Sequence, residues 1–168
     1  VTPDTRQPIQ PPADLQKLVE NSFKVRQAKE AVKQAKLELE FAEEHDDEDD
    51  FADTTKEEQL EYGVKIAEER LKQTEQNVRA QIDNLFRDAA DAQAAYQLAE
   101  KKWQDVAKDY ERMSLRHELG LISKQDLDNF DLAVREALAQ METAKNQYFL
   151  ALAQLKALEA GYVAANVG

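Results

Sequence analysis

The sequence predicts an all-α fold, an elongated antiparallel coiled-coil hairpin. One helix of about 60 residues is flanked by two shorter helices stacked end to end. Three observations carry this expectation. Apolar or small residues recur at 3-4 spacing through three long stretches. Helix breakers are rare: the 168 residues include four glycines and four prolines, and every proline falls within the first 13. The lengths of the two shorter stretches together match the longest one.

Residues 1–13 contain Pro3, Pro8, Pro11 and Pro12 and show no periodicity. They are expected to form an extended tail or linker. Asp14 is a fitting N-cap for a first helix over 15–44. The seam of that helix is Leu18, Ser22, Val25, Ala28, Val32, Ala35, Leu39 and Ala42, broadened on one flank by Leu15, Val19, Phe23 and Phe41.

From Glu43 to Asp50, seven of eight positions are carboxylates. Crowded like charges repel and Asp is a poor helix former, so a loop is expected here. Thr54 or Thr55, with Glu57 or Glu58 three residues on, offers a capping box to restart the chain as helix.

A second helix over 56–118 meets no proline and one internal glycine, Gly63. Its seam starts Leu60, Val64, Ala67, Leu71, Thr74, Val78, Ile82, Leu85 and Ala89. It continues Ala92, Tyr96, Ala99, Trp103, Val106, Tyr110, Met113 and His117. Across Thr74, Val78 and Ile82 the spacing is 4-4, a stutter-like step in heptad phase. Gly120 then ends the helix, and Ser123 with Asp126 opens the next as a capping box with Asp in place of Glu.

The third helix, 124–160, has an uninterrupted 3-4 seam: Leu127, Phe130, Val134, Ala137, Met141, Ala144, Tyr148, Ala151, Leu155, Leu158 and Tyr162. Gly161 is the natural stop, and 163–168 form a short tail. Residues 14–162 thus make a single helical-hairpin domain. At ~1.5 Å per residue the middle helix would be about 95 Å long, the first about 45 Å and the third about 55 Å. Folding back from the two turns, the short helices meet opposite residues 81–84, close to the phase step.

The charge balance, 22 basic against 34 acidic residues for a net −12, disfavours nucleic acid and anionic membrane surfaces. With no cysteine there are no disulfides, thiolate metal sites or thiol nucleophiles. No window approaches the ~18 apolar residues of a membrane span. The absence of cysteine fits an oxidising exported compartment, and the start, with no initiator Met or charged-then-apolar leader, is expected to be that of a mature or excised piece. A search for chemistry finds no Ser-His-Asp set, HExxH run or phosphate loop. His45 and His117 lie in different loops, and the acidic run 43–50 lacks the spacing and Gly of a calcium loop. No enzyme, cofactor or metal site is expected. Along the middle helix, Ala89, Ala90, Ala92, Ala94, Ala95 and Ala99 permit close approach of neighbouring helices on more than one side. At the hairpin tip, Leu121 and Ile122 are apolar residues that call for a cover, either a partner or a local staple onto Leu115 or Leu127.

From about Leu60 to Gly161, some three-fifths of the chain, the sequence resembles the TolC-like outer-membrane efflux (channel-tunnel) family. The resemblance rests on Leu115-Arg116-His117-Glu118-Leu119-Gly120-Leu121-Ile122-Ser123 with Asp126-Leu127. It extends through Ala139, Thr143-Ala144-Lys145-Asn146, Tyr148, Ala153-Gln154-Leu155 and Gly161. It implies that Gly120, Leu121, Ile122 and Ser123 hold the periplasmic tip where an inner-membrane adaptor docks. It also implies two short helices set end to end beside a long one. The family's barrel strands have no counterpart, since Glu43 to Thr55 is acidic and too short for two spanning strands, and there is one repeat rather than two. A second resemblance is to the membrane-fusion (adaptor) family, through Ile122-Ser123-Lys124-Gln125-Asp126-Leu127-Asp128 and Arg112 eleven residues before Ser123. There Arg116 stands where that family has Leu.

The expected function is therefore a non-enzymatic hairpin component of an efflux or secretion conduit in the periplasm or cell envelope. It would dock an adaptor protein through Gly120–Ser123. The alternatives are a coiled-coil spacer that self-associates through its helix faces, or an adaptor-type hairpin.

Overall fold

The computed structural model describes residues 7–44 and 51–163. Of these, 88% are helical, in four helices with no strand among the described residues. They are α1 (Leu15–Asn21), α2 (Phe23–Glu44), α3 (Phe51–Glu118) and α4 (Lys124–Glu159). The fold is an all-α helical hairpin. The chain divides into two compact units, Val1–Gln10 with Leu85–Leu155, and Pro11–Asn84 with Lys156–Gly168.

The first unit is built on the antiparallel pairing of α3 with α4. Tyr96 and Tyr148 are buried and stack with ring centroids 6.2 Å apart and planes 17° from parallel. That offset geometry suits two aromatic quadrupoles. Burial pushes the Tyr96 phenol above its ordinary pKa, and Glu100, which accepts its hydrogen bond at 3.3 Å, adds to the shift. Nearer the turn, Lys102 Nζ donates to Gln140 Oε1 at 2.9 Å. Both pairs are centred on Leu121 and Ile122, so the register follows directly from the turn.

In the second unit, Asp14 caps α1 by accepting from the Lys17 N–H at 3.1 Å. The seam predicts one helix over 15–44, but the structure breaks it at Ser22, whose φ of −59° and ψ of 135° leave the helical region. The Ser22 N–H still reaches the Val19 carbonyl, and the Ser22 carbonyl accepts from Arg26 N–H to start α2. Freed from helix, the Phe23 N–H donates to the carbonyl of Gly161, just past the end of α4, at 3.1 Å. So the two short stretches do meet, with the α4 terminus seated on an internal break rather than on the start of the first helix. Lys36 and Glu68 join α2 to α3 across 2.6 Å. Val19, Ser22, Val25, Val78, Ile82 and Leu158 are the side chains this unit buries most fully.

α3 begins at Phe51 rather than near residue 56. Propagating a helix costs far less than nucleating one, and nothing between Phe51 and Thr55 is Gly or Pro. The acidic run also starts later than expected, because Glu43 and Glu44 belong to α2. His45 to Asp50 lie outside the described residues, as do residues 164–168.

Candidate interaction site at the hairpin turn

The turn between α3 and α4 is fixed by two capping motifs in direct succession. At the end of α3, Gly120 N–H donates to the His117 carbonyl and Leu121 N–H to the Arg116 carbonyl, both at 2.9 Å. This is the Schellman pattern, which requires a left-handed residue; Gly120 supplies it with φ of +70°. Nothing lies within 4 Å of where a Cβ on Gly120 would sit. Two residues later Ser123 opens α4. Its Oγ accepts from Asp126 N–H at 3.1 Å and donates to Asp126 Oδ2 at 2.6 Å, while its own N–H donates to the same oxygen at 3.2 Å. The expected capping box is thus present with Asp as the third helical residue.

The electrostatics of the turn follow the helix dipoles. Arg116 and His117 sit in the last turn of α3, at the negative end of its dipole, and Asp126 in the first turn of α4, at the positive end. The hydrogen bonds from the Ser123 hydroxyl, then from its backbone N–H, hold the Asp126 carboxyl below the usual carboxylate range. His117 closes the turn from inside. Its Nδ1 lies 3.1 Å from the Ile122 carbonyl, which can only accept, so Nδ1 carries the hydrogen.

These bonds sort the four sequence-predicted residues. Gly120 and Ser123 shape the turn, and Ile122 is half-buried with its carbonyl engaged. Leu121 is 64% exposed, and Leu115, a candidate staple partner, is 61% exposed. Schellman turns commonly close an apolar contact around the last helical turn; here the position three from the helix end is Arg116, and the leucines stay open. Leu119, which the motif reading passed over, is the most exposed at 74%. It escaped notice because it falls on the helix C-cap, outside the seam. Arg112, the position singled out by the adaptor resemblance, pairs with Asp109 on its own helix.

A groove of about 650 Å³ opens beside Leu37, Phe41 and Leu60, rimmed by Lys33, Lys56 and Glu57. Among the described residues no cluster of three or more His, Cys, Asp or Glu is placed to hold a metal ion. No helix among them is long and apolar enough to cross a membrane. Compared with protein-family models, with curated proteins and with solved structures, the chain finds no match in any of the three.

Proposed function

We propose that this chain is a non-enzymatic helical-hairpin component of a TolC-like efflux or secretion conduit in the cell envelope, docking an adaptor protein through its tip. The observation that supports this reading is the exposure of Leu119 and Leu121 on a turn rigidly held by two caps. A rigid apolar knob costs a partner little ordering entropy. Covering two such leucines offers ~3 kcal/mol or more of gross burial.

The test is binding of a purified membrane-fusion adaptor to the intact chain. Leu119→Asp with Leu121→Asp is expected to weaken binding by about tenfold or more, which is ~1.4 kcal/mol. Undiminished binding would remove the tip from the function. A second reading, self-association through helix faces, is favoured by Leu98 on α3 and Leu132 and Leu150 on α4, all exposed. Sedimentation that shows a higher-order assembly lost on Leu98→Asp, with the tip variant unaffected, would select it.

A further inference from the structure

Gln93 is a polar side chain only 5% exposed in the middle of α3. Its Oε1 accepts from the Ile9 N–H at 3.2 Å, and its Nε2 donates to the Gln7 carbonyl at 2.7 Å. One carboxamide thus bonds the chain's N-terminal segment with both polarities. Residues 7–9, within the extended Pro-rich segment, form a strap on α3.

We propose that Gln93 and the α3 surface around it form a docking site for an extended, proline-containing peptide backbone. In the single chain the site is filled by its own Gln7–Ile9 segment, and it takes the same segment from a second copy. Four features of the geometry support this. Both of these bonds go to backbone atoms, a carbonyl and an N–H two residues apart. The residue between them is Pro8, which has a fixed φ near −65° and no N–H, so the segment is pre-extended and brings no extra donor to satisfy. Ala89 and Ala90 lie one turn before Gln93 on the same side of the helix, and their small side chains leave room for a backbone to approach. Beyond the strap, Pro11 and Pro12 lead to α1 at Leu15. Exchange of this segment between two copies would preserve both hydrogen bonds, the condition under which swapped association is cheap.

Amide hydrogen exchange on the full-length chain tests the clamp. The Ile9 N–H is expected to exchange at least about tenfold more slowly in wild type than in Gln93→Met, which keeps the bulk and removes both bonds. Gln7→Ala should leave that protection unchanged, because only the Gln7 backbone is bonded. Exchange between copies is tested with full-length Ile9→Pro, which loses one of the two bonds and so weakens the internal occupant. A labelled peptide of residues 1–13 should bind it at least about tenfold more tightly than it binds Ile9→Pro/Gln93→Met. The same peptide carrying Ile9→Pro should bind more weakly. Equal Ile9 exchange in wild type and Gln93→Met overturns the clamp. Peptide binding that is absent, or indifferent to Gln93, overturns the exchange.

Discussion

The two glycine turns among the described residues share one hydrogen-bond pattern and differ in what surrounds it. Past α4, Gly161 N–H donates to the Leu158 carbonyl at 2.9 Å and Tyr162 N–H to the Ala157 carbonyl at 3.0 Å, repeating the pattern at Gly120. Gly161 is also left-handed, with φ of +87°. Yet a Cβ on Gly161 would stand 2.8 Å from the Asn21 carbonyl oxygen, whereas Gly120 faces open space. The first turn needs glycine only for its dihedral angle. The second needs it also for room, because another backbone is pressed against it. The same local chemistry therefore builds a displayed tip at one end of α4 and a packed joint at the other.

Substitution separates the two. Gly161→Ala is expected to destabilise by about 3 kcal/mol, combining ~1–2 kcal/mol of left-handed strain with displacement of the Asn21 carbonyl. Gly120→Ala should cost about 1 kcal/mol, the strain alone. Chemical denaturation of both variants checks the ordering, and equal losses would dissolve the contrast. Asn sharpens it, since Asn accepts the left-handed region. Gly120→Asn should fall within about 0.5 kcal/mol of wild type, while Gly161→Asn should still fail on space.

The caps give a smaller effect. Ser123→Ala should lose about 1 kcal/mol, as N-cap removals do. The Asp126 contribution has a definite pH sense. Its folded pKa is depressed, so its support for α4 is present at neutral pH and lost as pH falls through that lowered value. The stability gap between wild type and Asp126→Asn should accordingly close in acid. Smallest of all, Leu121→Asp should leave thermal stability nearly unchanged, within about 0.5 kcal/mol, because the residue is exposed. A large loss there would mean the tip leucine supports the fold rather than standing free of it.

The seams were legible because a 3-4 repeat is a direct record of which face is covered. Each position from Leu18 to Ala42, from Leu60 to His117 and from Leu127 to Leu158 is buried or half-buried. Its flank was less legible: Val19 is buried but Phe23 and Phe41 are exposed. Tyr162 also departs from the seam and is exposed, since the turn at Gly161 has already redirected the chain. The break at Ser22 was hidden because a small residue on a seam fits both a continuous helix and a cap. Only the distant Gly161 carbonyl, waiting for an unpaired N–H, decides between them. Gln93 was hidden for the opposite reason: its burial depends on the strap, and a polar side chain in a helix carries no periodic signal. At the tip, Gly120 and Ser123 were legible from their capping chemistry. The exposure of Leu119 depends on what fails to pack around it, which no local motif records.

The bond between Phe23 and Gly161 joins positions near opposite ends of the chain. During synthesis α1 and α2 are made long before Gly161, so the carbonyl that engages the Phe23 N–H arrives late relative to both. The junction between those two helices therefore acquires this bond only after α4 has been made, which gives Gly161 a place in the order of assembly.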